Sequence, residues 1–569
     1  MLFTALIETV KDRTLFSSFR QNILSGVTVG IVALPLSMGL AIASGVPPQH
    51  GLYTAIVGGI VIAITGGSRV NISGPTAAFV VVLLPIVYQY GLGGLLISGV
   101  LAGVIMIGFG LFRLGKMIEV IPYPVVIGFT SGIGTVIAIL QLKDLLGLQI
   151  EHDGIHFIEK VMAIIDALPS LQWQEIIIGI ITFTTLLIWK KLKSKIPSYF
   201  SALILGSFIA AIFNSSELLP QVETISSRFS YDINGIFGQG IPPVLPQFVL
   251  PWELAGGDGK PIGLSWEMIH TLLSAAFSIA LLGALESLLC AVVADGMTGY
   301  KHNPDGELIG QGIGNIAVAF MGGVPATAAI ARTATNIRSG GSTPLSAFTH
   351  SVVILLTIVV FAKWLGYVPM ASIAAVLLMV AWNMSEAHHA MRILTKAPTA
   401  DSAVFATCFL LTVFIDMQVA VAAGLALASM LFMRRMIELT EASVLDHKTH
   451  THELINNEQV VVYDINGPLF FGAAHKALKI LSSVNSKIHT VVLDFADVSL
   501  LDTTAMVNLE SLVNDLENKN VSIILIHVKQ RLIDKLSRFG VIGPHQKLIV
   551  KQDIQEAMNV INSMDLIND

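Results

Sequence analysis

Two short segments, about 250 residues apart, interrupt apolar sequence in the same manner: Gly74-Pro75-Thr76-Ala77-Ala78 and Val324-Pro325-Ala326-Thr327-Ala328-Ala329. In each, Gly and Pro break a helix and small residues restart it. At membrane depth such irregular backbone survives only where it is buried or lines a cavity. One break in each half of the chain therefore predicts two discontinuous membrane helices whose free N-termini face a shared cavity, the arrangement of a transporter.

Composition agrees with that class. Of 569 residues, 53% are hydrophobic and 13% charged, and the apolar stretches are too long and too many for one soluble core. The net charge of −6 comes with no basic cluster large enough for nucleic acid. Cys290 and Cys408 both lie in apolar runs, so no disulfide is expected. The residues up to Arg20 are amphipathic and polar, which predicts no cleavable signal peptide and leaves the first span as the insertion signal.

Hydropathy predicts about fourteen spans, centred near residues 33, 57, 80, 102, 133, 180, 206, 280, 315, 333, 354, 376, 408 and 426. Several are too short to cross as straight helices, the two broken ones among them. With Lys11, Arg13 and Arg20 cytoplasmic, every second loop is basic: Arg69, Arg113 with Lys116, Lys190 to Lys195, Lys301, Arg338, Arg392 with Lys396, and Arg434 with Arg435. Both termini are then cytoplasmic and the loop from Asn214 to Gly263 is outside, with Lys143 and Lys363 departing from the pattern. An odd number of spans per half makes the halves an inverted repeat. Chance recurrence of Gly and Pro, common in membrane helices, is the alternative.

Beyond Arg435 strand-like runs, Val460 to Ile465, Thr490 to Phe495 and Val521 to His527, alternate with helical patterns at Ala473 to Val484, Thr503 to Glu517 and Gln530 to Phe539. A short run near Leu548 and a helix from Asp553 follow. This predicts a small α/β domain behind a charged linker, Glu441 to Glu458.

Two helix N-termini facing one cavity make an anion site without a basic side chain, because their first N–H groups lack partners and each terminus carries about half a positive charge. The candidates are Thr76, Ala77 and Ala78 at the first break and Thr327, Ala328 and Ala329 at the second. The alternative for the alanines is close helix packing. Arg332, one turn further on, would add positive potential, or else form a structural ion pair; Arg338 reads as an anchor at the helix end. Glu286 lies mid-span and is the proton-relay candidate, while Asp295 marks the end of the same helix. His50, His350 and Asp416 read as interfacial or packing residues. No phosphate-binding loop, enzyme signature or metal-ligand cluster is evident, so no cofactor is expected.

Asn71-Ile72-Ser73-Gly74-Pro75-Thr76, Leu285-Glu286-Ser287-Leu288-Leu289 and Ala331-Arg332-Thr333-Ala334-Thr335-Asn336-Ile337 resemble the SulP family of anion transporters, and the C-terminal domain looks like a STAS domain. Cys290-Ala291-Val292-Val293, Asp295-Gly296-Met297-Thr298-Gly299 and Leu378-Met379-Val380-Ala381-Trp382-Asn383-Met384-Ser385-Glu386 resemble the branch carrying four-carbon dicarboxylates. The resemblance implies an α-helical polytopic membrane protein of about 14 transmembrane helices as a 7+7 inverted repeat with core and gate domains, plus a cytoplasmic α/β STAS domain. It places the substrate between the third and tenth helices, moves the core past the gate and implies a homodimer in the inner membrane. The expected limits are 1–440 for the transport domain (repeats about 20–213 and 265–436), 441–458 for the linker and 459–569 for STAS. Sodium-coupled relatives hold the cation with an Asp on the eighth helix; Glu286 at that position turns the expectation to protons, with sodium open. The helix of related bacterial STAS proteins starts with a phosphorylatable Ser, and the matching Thr503 and Thr504 are poorer candidates for regulation.

An inside-negative potential opposes entry of a dianion by about 4.6 kcal/mol per 100 mV, and each cotransported proton offsets half of that. The leading expectation is a proton-coupled transporter of four-carbon dicarboxylates such as succinate, fumarate and aspartate. Sulfate or bicarbonate transport, or exchange, is the second reading. A membrane sensor that recruits a cytoplasmic partner through its STAS domain is the reading from another class.

Overall fold

The computed structural model describes residues 2–118, 121–150, 157–189, 191–192, 196–216, 219–233, 235–439, 441–444, 459–470, 488–542 and 548–568. Contacts divide the chain into two compact units, Met1–Ala426 and Leu427–Asp569.

The first half contains α1 (Phe19–Ala43), α2 (Pro48–Thr65), β1 (Ser73–Gly74), α3 (Ala77–Leu111), α4 (Tyr123–Leu140), α5 (Trp173–Trp189) and α6 (Ser198–Ser215). An antiparallel hairpin, β2 (Ser230–Ile233) and β3 (Ile236–Gln239), lies in the long connection. The second half repeats the order with α7 (Trp266–Thr298), α8 (Pro304–Phe320), β4 (Thr327–Ala328), α9 (Ile330–Arg338), α10 (Pro344–Leu365), α11 (Met370–Met384), α12 (Thr399–Phe414) and α13 (Met417–Leu439). Every predicted span centre falls inside one of these helices. The centres near 80 and 102 share α3, which bends at Gly91, where φ is 65° and ψ −170°. Only glycine adopts that backbone readily, so α3 is two limbs joined at a corner, and among the described residues seven of these segments stand in each half.

Among the described residues nine helices are long and apolar enough to cross a membrane. Helices α1, α2, α3, α7, α8, α9 and α10 pack into one bundle; α4, α5, α6, α11 and α12 form a second. Helix α13 joins the latter, where Cys408 Sγ donates to Ala420 O at 3.4 Å. In the first bundle the backbones of α3 and α8 approach closely. A Cβ at Gly103 would lie 2.6 Å from Gly312 O, and one at Gly312 would lie 2.5 Å from Gly103 O. Without a hydrophobic drive between helices in lipid, such close packing supplies the dispersion contact that holds them.

The C-terminal unit has a five-stranded sheet ordered β5 (Glu441–Val444), β6 (Val460–Asn466), β7 (Thr490–Asp494), β8 (Ser522–Ile526) and β9 (Leu548–Val550). Strand β5 is antiparallel to β6 and the remaining pairs are parallel. Because side chains alternate along a strand, Val491, Leu493, Ile523 and Leu525 meet α14 (Thr503–Asn518) and α15 (Gln530–Phe539) through Leu509, Leu516 and Leu536. Val462, Val492 and Ile524 face the other way onto Ala557 and Ile561 of α16 (Ile554–Asn568). Glu441–Val444, read from sequence as the start of a linker, forms the edge strand β5, its backbone satisfied by β6. The predicted helix Ala473 to Val484, positions 445–458, and Lys190, Lys193 and Lys195 lie outside the described residues.

Candidate anion site

The two breaks meet through their backbones. Strand β1 pairs antiparallel with β4, Ser73 opposite Ala328 and Gly74 opposite Thr327. Each strand then leads into a half-helix, α3 or α9, so the two N-termini start from one point.

At the first break Thr76 is the N-cap residue in extended conformation, and its side chain makes no capping bond. Its hydroxyl instead donates to Glu286 Oε2 on α7 at 2.8 Å. Ala77 and Ala78 open α3, and their N–H groups have no carbonyl one turn back. Thr76, Ala77 and Ala78 are all buried, at 8%, 7% and 0% exposure.

The second break departs from expectation. The chain stays extended through Thr327 and Ala328 to pair with β1, so the helix starts only at Ile330. Ala329 N donates to Ile72 O at 2.9 Å, and Ala328 N donates to Ser287 Oγ at 3.2 Å. Ser287 Oγ lies 2.7 Å from Thr327 Oγ1, which donates to Gly283 O at 3.2 Å. The amides of Ala328 and Ala329, expected to bind ligand, are therefore committed to the protein. The amides without a helical acceptor belong to Ile330, Ala331 and Arg332.

Arg332 is buried, Nη2 donating to Pro75 O at 2.9 Å and Nη1 having no partner. Among the described residues no carboxylate pairs with it, so the ion-pair alternative is not realised. The guanidinium reaches across from the second half-helix to the carbonyl just before the first one. Pro75, Thr76, Glu286 and Arg332 thus converge, with Thr327 joined to them through Ser287.

The remaining candidates lie elsewhere. Arg338 is exposed at the end of α9. Asp295 Oδ2 lies 2.9 Å from His302 Nδ1, Asp416 accepts from Val419 N at 2.8 Å, and His50 Nδ1 bonds Gly322 O. His350 is fully buried. Among the described residues no His, Cys, Asp and Glu group could hold a metal ion. In the C-terminal unit Thr503 and Thr504 are exposed at the start of α14, where Asp502 caps by accepting from Ala505 N at 2.7 Å.

Sequence reasoning missed the stripe Glu307, Gln311 and Asn315 on α8. Glu307 reads as an ordinary acidic residue of a helix first turn, but the i, i+4, i+8 spacing inside an apolar run was the available signal. All three are buried and bond the break segments. A cavity of about 310 Å³ lies beside α3, lined by Val81 and Pro85, by Val136 and Leu140 of α4, and by Thr412 and Val413 of α12. It lies in the seam between the two bundles.

The family model described as the sulfate permease family matches residues 19–408. The chain belongs to that family. The STAS domain model matches residues 452–557 of the chain. It is 39% identical over 532 residues to the putative sulfate transporter YvdB of Bacillus subtilis, covering 92% of this chain and 95% of that one. It is 28% identical over 572 residues to the bicarbonate transporter BicA of Picosynechococcus sp., covering 96% and 95%. The structure of SLC26A9 superposes with a TM-score of 0.83 at 16% identity, over 99% of this chain and 93% of that one, which establishes the shared fold. The chain is a multi-pass membrane protein and an anion transporter. These two relatives are named for sulfate and bicarbonate, and neither for dicarboxylates.

Proposed function

We propose that the chain takes up a small inorganic oxyanion, sulfate or bicarbonate, as a proton-coupled secondary transporter. The observation that supports this best is the β1–β4 pairing, which brings the N-termini of α3 and α9 together beside a buried guanidinium with one unpartnered nitrogen. Partial positive charge at such termini acts strongly where water is scarce. In this reading the ligand lies against the amides of Ala77, Ala78, Ile330 and Ala331 and against Arg332. Thr76 and Thr327 shape the site rather than closing on the anion.

Glu286 is the proposed proton carrier. Its partner, the Thr76 hydroxyl, can donate to a carboxylate or accept from a carboxylic acid, so the contact is compatible with either state. A proton arriving there is reported directly to the first half-helix. Transport proceeds by movement of the bundle holding both breaks past the bundle of α4 to α6 and α11 to α13, in a homodimer with both termini cytoplasmic. The transport unit is taken as 1–440 and the STAS domain as 459–569.

Uptake by purified protein in proteoliposomes tests this, with sulfate, bicarbonate, succinate, fumarate and aspartate offered in turn under an imposed pH gradient. Sulfate or bicarbonate should accumulate, and faster with acid outside. Preference for succinate over both would move the substrate to four-carbon dicarboxylates, the class its sequence motifs resemble. Accumulation indifferent to every proton gradient removes the coupling and favours exchange or sodium. Failure of all five to accumulate would leave the sensor reading in its place.

A further inference from the structure

We infer that Glu307 is a positioning residue that sets anion affinity by fixing where the first half-helix begins; this rests on the site reading above. Glu307 is 1% exposed. Its Oε2 accepts from Gly67 N at 2.9 Å and Ser68 N at 3.0 Å, and its Oε1 from Asn71 Nδ2 at 3.0 Å and Gln311 Nε2 at 3.1 Å. Hydrogen bonds to a charged acceptor are about twice as strong as neutral ones, and four of them converge here on one carboxylate.

The bonded groups form a continuous path to the site. Gln311 Nε2 also lies 3.0 Å from Ser73 Oγ. Residues 67, 68, 71 and 73 are thereby tied to one turn of α8, and only Gly74 and Pro75 separate the last of them from Thr76. The loop is pressed against the start of α8: a Cβ at Gly67 would lie 2.2 Å from Asn303 O, and Asn303 N donates to Gly67 O at 3.1 Å.

The second break shows that folding such a loop needs no charge. There Asn315 Oδ1 accepts from Ala326 N at 2.8 Å, its Nδ2 donates to Ala326 O at 2.9 Å, and Thr54 Oγ1 donates to Val324 O at 2.8 Å. The charge at the first break has a separate consequence. Adjacent N–H groups such as those of Gly67 and Ser68 attract anions, and Glu307 fills them with an anion the protein carries. The substrate is left with the open amides at the head of α3.

The test is a donor and acceptor swap. In Glu307→Gln the new NH2 faces the NH2 groups of Asn71 and Gln311, and in Asn71→Asp two carboxylates face each other. The double variant restores one acceptor between them. Each single variant should raise the KM for sulfate about tenfold in proteoliposomes, with Vmax changed less, and the double should recover most of the loss. Hydrogen exchange across residues 66–78 in the detergent-solubilised full chain should be faster in each single variant and restored in the double. Exchange needs no substrate, so it decides the role of Glu307 even if the wild type moves neither sulfate nor bicarbonate. Wild-type KM and exchange in Glu307→Gln would overturn the inference, as would a double variant no better than either single. Should Glu307→Gln not fold, Ser73→Ala removes only the Gln311 link, and unchanged KM and exchange there would overturn it equally.

Discussion

At the first break the loop is anchored by a carboxylate and leads into a helix of 35 residues bent at Gly91; at the second it is held by neutral amide and hydroxyl groups and leads into a helix of nine. The backbones nevertheless pair residue for residue across β1 and β4. The pairing fixes that the two helix ends meet, while the side chains fix which N–H groups remain open there. Glu307, buried, and Glu286, half-buried, divide in the same way. Glu307 is surrounded by four donors, whereas the bond to Glu286 is the ambivalent hydroxyl of Thr76. One suits a fixed anchor and the other a group that changes state during transport.

The largest effect is expected at the second break. Asn315→Leu strands the N–H and carbonyl of Ala326 in a buried site, which costs about 2–6 kcal/mol for the two groups. Expression as a monodisperse protein and sulfate uptake should both fall sharply; normal uptake would mean the second break does not depend on its amide clamp. Next comes Glu286→Gln, which should abolish the extra accumulation driven by a pH gradient, about tenfold per proton per unit of ΔpH, while sulfate counterflow persists. Counterflow and gradient-driven uptake lost together would assign Glu286 to structure, in the manner of Glu307.

A smaller change is expected for Gly74→Ala. The added Cβ would lie 2.5 Å from Arg332 Nη1 and must displace the guanidinium, leaving the strand pairing in place. Sulfate affinity should drop roughly three- to tenfold, about 1 kcal/mol, with little change in Tm; unaltered affinity would remove Arg332 from the site. The smallest effect belongs to the paired variant Glu8→Gln with Asp12→Asn. Both acids bond Arg69, at 3.0 and 2.8 Å, beside the Glu307-bound loop, but they are 46% and 48% exposed. Surface pairs contribute at most about 1 kcal/mol, so uptake should stay within about twofold; a larger drop would extend the anchoring of the first break to the N-terminal helix Thr4–Lys11.

Much of this architecture was legible because hydropathy is a local property. The span centres required only runs of apolar residues, and Gly74-Pro75 and Pro325 announced the breaks through backbone chemistry that any neighbours would have to respect. Helix α15 was read with the limits it has, from its apolar period. The spacing of Glu307 with Gln311 and Asn315 marks a polar stripe, but what Glu307 anchors was not legible, because its partners Gly67, Ser68 and Asn71 lie some 240 residues away. The amides of Ala328 and Ala329 were misjudged for the same reason. Whether an N–H is open depends on Ser287 and Ile72, which sequence cannot bring to it.

By itself, then, the order of residues determined that this chain enters a membrane, breaks a helix once in each half and ends in an α/β domain, since burial in lipid and the limits of Pro and Gly act on each segment alone. Which end of which helix is left to receive an anion was decided only when β1 met β4 and α8 closed on the loop. Hydrogen-bond partners are spent in three dimensions, and an open site is what remains after the others have been satisfied.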